Sequence, residues 1–257
     1  INTRCGRDEV LAKLRAEGLF FAKAPYSPIG IRSEERVNLN NCMAYQNGEV
    51  DVQDEASQLA AILCDARPEL EIMDYCAGAG GKTLTMLYLM HNQGKIAVHD
   101  INWGRLEAIK DRALRLGAKE FEIIKDLSNR QYDLFILDAP CSGSGTWRRS
   151  PDAKFIITPE KLKEIVNTQR QVLDTAYEHT KQGGRIVYMT CSILEDENQS
   201  NAQWFERKYK DVKRVDLRRI WEHKLDVCYP FRRDDEAVFS PLLTGTDGFY
   251  LVMFQKS

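Results

Sequence analysis

The 257 residues are 43% hydrophobic and 29% charged, the balance of a globular chain rather than a disordered or membrane-embedded one. The longest apolar runs, 134–137 and 186–189, are far too short to span a bilayer, so no membrane partner is expected. A net charge of −2 counts against a coat that grips nucleic acid by bulk electrostatics, leaving local basic stretches at 147–149 and 207–219 either for such a role or as solvated faces, with Glu206, Asp211 and Asp216 interleaved in the second.

Taken in chain order, the first fifty residues stand apart, with a short helix over 8–18 and a loop over 25–30. Residues 1–49 read as a small, shortened N-terminal subdomain and 50–257 as the main domain. No charged-then-apolar leader opens the sequence, so no secretory signal is expected. From residue 50 the pattern alternates. A strand over 71–75 leads through a Gly-rich turn to a helix over 82–91. A strand over 96–99 precedes a helix over 103–116 that lines up Leu106, Ile109, Ala113 and Leu116 on one face. Strands follow over 121–124 and 134–137. A long helix over 159–181 starts with Pro159 in its first turn and stops at Gly183 and Gly184. A strand over 185–189, a helix over 195–209 and two last strands over 213–217 and 249–254 close the chain. Strands alternating with helices predict a mostly parallel sheet covered on both faces, with ligands at the carboxyl ends of its strands.

The first such end is a glycine loop: Asp74, Tyr75, Cys76, Ala77, Gly78, Ala79, Gly80, Gly81, Lys82, Thr83. Three glycines let the backbone turn sharply and approach a ligand whose polar groups meet the free N–H groups of a helix start. The spacing is not that of a GxxxxGK[ST] phosphate loop. Asp100, at the second strand end, suits the two hydroxyls of a ribose, although an Asp there can also cap a helix. Asp126 is placed to reach the adenine region, or is a plain turn residue. One Asp per strand end makes the set more specific than any member.

The fourth strand ends in Asp138, Ala139, Pro140 and Cys141, followed by Gly143 and Gly145; the fifth ends in Thr190, Cys191 and Ser192. Each presents a Cys on the same rim beside an Asp. Methylation of a cytosine at C5 needs such groups: a thiolate adding to C6 makes C5 an enamine carbon able to attack a methyl sulfonium. An acid near N3 and the exocyclic amine assists as charge builds up. Cys191, just ahead of the expected 195–209 helix, would gain thiolate character from a helix N-terminus. Two buried structural cysteines, or a redox pair, are the alternatives. Seven cysteines with no CxxC pair argue against a disulfide framework and a zinc site, so no metal is expected and the compartment is the reducing cytoplasm.

Together these segments resemble the Nop/Sun family of RNA cytosine-5 methyltransferases, most closely the bacterial type acting on small-subunit ribosomal RNA. The likeness runs from Val52, Gln53, Asp54, Glu55, Ala56, Ser57 and Gln58 through the glycine loop, Asp100 with Arg105, and the Asp138–Gly143 motif. It continues through Gly145, Thr146, Arg148, Arg149, Pro151, Asp152 and Thr190–Ser192 to Thr246, Asp247, Gly248, Phe249 and Tyr250.

The resemblance implies a class I S-adenosylmethionine-dependent methyltransferase fold, Rossmann-like, with a seven-stranded mostly parallel sheet and an antiparallel final strand. It implies S-adenosyl-L-methionine as cofactor, held by Cys76, Ala77, Gly78, Ala79, Gly80, Gly81, Lys82, Asp100, Arg105, Asp126 and Asp138. Cys191 would be the nucleophile, Cys141 would help release the product, and Asp138 would contact the base. Arg148, Arg149 and Lys154 would meet the RNA backbone. The partner implied is RNA, ribosomal first and transfer RNA as the alternative. A non-catalytic RNA-binding or ribosome-assembly factor is the rival from another class, opposed by the presence of both cysteines and Asp138. The loop departs from the family's common Cys-Ala-Ala-Pro-Gly-Gly-Lys at Gly78 and Ala79, which makes it more flexible.

Overall fold

Residues 2, 5–119 and 121–257 are described by a computed structural model. Near the N-terminus, α1 (Arg7–Ala16) buries Val10 and Leu14, four residues apart and so on one face. A short ladder of β1 (Ala22–Lys23) with β2 (Ile31–Arg32) and a single turn, α2 (Met43–Gln46), follow. Val10, Leu14, Cys42, Ala44 and Val50 form an apolar cluster separate from the main core. The Asp54 carboxylate, accepting from Ala56 N at 2.9 Å, then caps α3 (Glu55–Leu63).

The main domain continues with β3 (Glu71–Asp74), α4 (Gly81–Leu89), β4 (Lys95–Val98), α5 (Trp103–Leu116), β5 (Phe121–Ile123) and β6 (Tyr132–Asp138). Next come α6 (Pro159–Glu178), β7 (Thr180–Thr190), α7 (Gln199–Lys208), β8 (Val212–Arg214), α8 (Leu217–Lys224), β9 (Glu236–Phe239) and β10 (Phe249–Lys256). The sheet runs β5-β4-β3-β6-β7-β10-β8. Pairings from β5 to β7 are parallel, and β10 is antiparallel to each of its neighbours. Strand order reverses between β3 and β6, so the ends of these strands flank the crevice where such sheets bind ligands.

The core lies on both faces because β6 alternates into each. Leu134 and Ile136 join the cluster under α3, α4, α5 and α8, while Phe135 and Leu137 join the one under α6 and α7. This is why 134–137 reads as an unbroken apolar run.

Four local expectations are corrected. The sheet has eight strands rather than seven: β8 covers only the last three residues of β10, and β9 pairs with the uncovered first half of that edge. The 159–181 helix ends earlier, at Glu178, and Gly183 and Gly184 lie inside β7. Pairing of Thr180 with Tyr132 starts the strand, and Lys256 Nζ donates to Tyr177 O (2.9 Å) and Thr180 O (3.0 Å) at the junction. The 195–209 helix begins only at Gln199, because the residues before it form turns toward the cysteines. The strand expected over 213–217 is shorter, and Asp216 instead caps α8 by accepting from Arg219 N at 3.1 Å. Among the described residues, no helix is long and apolar enough to cross a membrane.

Candidate active site

The carboxyl ends of β3, β6 and β7 converge. After β3, Ala77 N donates to His99 O at 3.0 Å and Gly78 N to Asp100 Oδ2 at 2.8 Å, so the neighbouring strand end shapes the glycine loop. Gly80 takes the left-handed conformation (φ 76°) as N-cap of α4 and has no side chain with which to cap the helix. A cavity of about 200 Å³ opens beside it, lined by Cys76, Ala77, Gly78, Ala79, Gly81 and Lys82. Asp74, Asp138, Val52, Gln53, Ser57 and Arg112 complete the wall. Gly78 also has a positive φ of 55°, and a Cβ there would meet nothing within 4 Å. The loop therefore leaves room for a bound group beside an uncapped helix start, the fit a polar adenosine-type cofactor requires.

Polar groups line this cavity in pairs. Thr83 Oγ1 donates to Asp74 Oδ2 at 2.6 Å, and burial pushes the Asp74 carboxyl up to about 6. Lys82 Nζ lies 2.5 Å from Asp138 Oδ2 and 5.1 Å from the centre of the Phe249 ring. Burial would depress the ammonium, but the charge of Asp138 and its hydrogen bond outweigh this and hold it above the ordinary lysine value.

The two cysteines meet here: Cys141 Sγ and Cys191 Sγ are 3.2 Å apart. Two glycines bring their turns together. Gly145 N donates to Cys191 O, and Gly248 N donates to Gly145 O, each at 3.0 Å. A Cβ on Gly145 would stand 2.0 Å from Gly248 O, so backbone passes where a side chain cannot. The hydrogen bond from the Cys141 thiol holds Cys191 below the ordinary thiol value. The Lys82 charge adds to this, while burial and Asp138 oppose it. Cys141, hydrogen-bonded to Cys191 and buried, is pushed well above the ordinary value. Of the two sulfurs, Cys191 is the one whose surroundings favour the thiolate. Since α7 begins at Gln199, the groups that lower Cys191 are Cys141 and Lys82 rather than the expected helix N-terminus.

Not all expected residues reach the cavity. Asp100 is buried and engaged, accepting from Gly78 N and from Asn102 N at 2.7 Å. Gly80 faces Ile109, whose side chain a Cβ would approach to 2.9 Å. Arg105 is exposed on α5, and Asp126 is exposed in a turn, where it accepts from the Ser128 hydroxyl. Arg148 Nε lies 2.6 Å from Asp247 Oδ1, and Arg149 binds the other oxygen, so a buried carboxylate holds both arginines. Lys154 Nζ lies 4.9 Å from the centre of the exposed Phe155 ring.

The reading from sequence passed over Arg112, which donates to Ala79 O at 3.0 Å and Val52 O at 3.2 Å while its Nε binds Asp51 at 2.7 Å. Gln53, just before the N-cap of α3, and Ser57, in its first turn, also line the cavity, and both stand in the 52–58 motif. Glu197, a buried carboxylate beneath both cysteine turns, was missed as well. Among the described residues, no group of three His, Cys, Asp or Glu could hold a metal ion.

A family model described as 16S rRNA methyltransferase RsmB/F matches residues 61–255, from within α3 to the last strand. The chain belongs to the RsmB/F family. A Bacillus subtilis protein named probable ribosomal RNA small subunit methyltransferase B is 31% identical over 262 residues, covering 98% of this chain and 58% of the relative. Ribosomal RNA small subunit methyltransferase B of Photorhabdus laumondii is 34% identical over 214 residues, covering 80% and 50%. The chain thus spans about half the length of the relatives it matches. The crystal structure of NSun6 from Pyrococcus horikoshii with SFG has a TM-score of 0.76 at 24% identity over 86% of this chain and 56% of that one, a likeness of fold. This RsmB/F chain has the class I methyltransferase architecture expected from its motifs.

Proposed function

We propose that the protein methylates C5 of cytosine in small-subunit ribosomal RNA, through a covalent bond between Cys191 and C6. The observation that carries this is the pair of sulfurs at 3.2 Å beside the Lys82–Asp138 ion pair, against the glycine-loop cavity. Family membership supports ribosomal RNA as the substrate class. S-adenosyl-L-methionine, when bound, supplies an electrophilic methyl group. The 76–82 loop with Gln53, Ser57 and Asp74 would hold it.

The chain's own residues account for the remaining steps. Cys191 adds as thiolate to C6 of a base turned out of its stack, which makes C5 nucleophilic. Asp138, oriented by Lys82, accepts from the exocyclic amine, and the Lys82 ammonium is the proton source for N3 as charge develops there. After C5 accepts the methyl group a base takes its proton, and the electron pair of that C–H bond re-forms the C5–C6 double bond as Cys191 leaves as thiolate. The sulfur contact supports giving Cys141 the release role. Residues 1–49 would serve as a subdomain that contacts RNA, and a ribosomal substrate would be met in the cytoplasm.

The test is a denaturing-gel assay for a protein–RNA adduct, with ribosomal RNA and S-adenosyl-L-methionine. Cys141→Ala is expected to accumulate the adduct and Cys191→Ala to form none. An adduct that depends on Cys141 would reverse the two roles. No adduct in any variant would refute the covalent route, and methylation of transfer RNA alone would refute the ribosomal substrate.

A further inference from the structure

Both cysteines sit in turns just beyond the last residues of β6 and β7, and one buried side chain joins those turns. Glu197 is fully buried in the turn before α7. Its Oε1 accepts from Ser142 N at 2.8 Å and Gln169 Nε2 at 3.0 Å. Its Oε2 accepts from the hydroxyls of Ser142 and Ser192, each at 2.5 Å. Ser142 follows Cys141 and Ser192 follows Cys191, so a single carboxylate grips the residue after each sulfur. The residues before the sulfurs are gripped by its neighbours. Gln169 Nε2 also donates to Pro140 O at 2.9 Å, and Thr190 Oγ1 donates to Asn198 Oδ1 at 2.6 Å.

A buried carboxylate is costly unless donors meet it, and four donors meet this one. Three of the four belong to the residues that follow the cysteines, which a purely structural role would not require.

We propose that Glu197 is the positioning residue of the cysteine pair, locking the two turns in the register that keeps Cys141 Sγ and Cys191 Sγ in contact. This deepens the proposed function and rests on its assignment of Cys141 and Cys191 as the reacting pair. Without the carboxylate, Ser142 N and both hydroxyls lose their shared acceptor, and nothing else in the cluster spans both serines with charge-assisted bonds. A glutamine keeps the two bonds at Oε1, and its amide can donate to hydroxyls that rotate to accept.

The experiment measures how fast oxidised dithiothreitol joins Cys141 to Cys191, following the bridged peptide by mass spectrometry. The two thiols give up two protons and two electrons, which reduce the reagent to its dithiol. Glu197→Ala is expected to slow bridging by about tenfold or more, because a shift of about 1 Å at reacting atoms costs orders of magnitude. Glu197→Gln should stay within about threefold of wild type, as should Phe205→Leu, a core change on α7 that destabilises without touching these bonds.

A folded Glu197→Ala protein that bridges at the wild-type rate overturns the proposal. So does a loss in Phe205→Leu as large as that in Glu197→Ala, and so does a wild-type protein that forms no bridge. If Glu197→Ala does not unfold cooperatively, the Ser142→Ala/Ser192→Ala double variant takes its place, and a wild-type rate there overturns the idea equally. The readout needs neither RNA nor cofactor, so absent methylation with this bridging pattern intact counts against the proposed function alone.

Discussion

Gly145→Ala tests whether the site depends on two loops meeting backbone to backbone. The new Cβ would lie 2.0 Å from Gly248 O, 2.6 Å from its C and 2.8 Å from its Cα, none of which can rotate away. To reach ordinary contact, the 246–248 segment must retreat by about 1.4 Å. That retreat breaks the Gly248 N to Gly145 O bond and strains the Gly145 N to Cys191 O bond. Two backbone hydrogen bonds at about 1 kcal/mol each, plus about 1–3 kcal/mol of overpacking, predict a loss of about 3–5 kcal/mol. Urea unfolding followed by circular dichroism measures it, with Gly104→Ala at the exposed start of α5 as a control expected within about 1 kcal/mol of wild type. Because Gly145 holds the Cys191 carbonyl, iodoacetamide alkylation of Cys191 should slow as well. A loss below about 1 kcal/mol would refute the close-approach account.

Alkylation of the cysteine pair should begin at lower pH for Cys191 than for Cys141, since the bond from Cys141 stabilises the Cys191 thiolate; peptide mapping across a pH series would read the order. Lys82→Met should move the Cys191 midpoint upward by removing a nearby positive charge, and an unchanged midpoint would remove Lys82 from the activation. Asp74 predicts a pH slope in stability: with its folded-state value at about 6, above the ordinary 3.8, the folded protein holds the extra proton in this window. That contribution is full below about pH 4 and lost as pH rises through 6. Wild type should therefore lose about 3 kcal/mol relative to Asp74→Asn across the window in urea titrations, and parallel curves would refute it.

The main fold was legible because its signals are local. The 103–116 helix matches α5 at both ends, since its apolar positions repeat at helical spacing and Gly117 closes it in the left-handed conformation. Strands β3, β4 and β6 stand where apolar runs predicted them, because strands buried on both faces must be apolar throughout. Cys141 and Cys191 were legible as a pair from topology, since β6 and β7 are neighbours in a parallel sheet and their carboxyl ends share one rim.

Other features depended on contacts between residues far apart in sequence. Strand β9 exists because the edge of β10 would otherwise lie half uncovered, a need absent from residues 236–239 taken alone. The start of α7 is delayed by Glu197 and Asn198, whose side chains turn toward Ser142 and Thr190 beyond other strands, and nothing in residues 195–198 taken alone signals this. Glu197 itself looks like one more surface acid in the run from Glu195 to Glu197. The sequence by itself determined which residue types stand at each strand end. Only the tertiary structure decided that Asp247 holds Arg148 and Arg149, that Cys141 and not a helix start lowers Cys191, and that Glu197 spans both turns. Local periodicity records which face of an element is buried, whereas a partner for a buried charge is chosen by three-dimensional proximity.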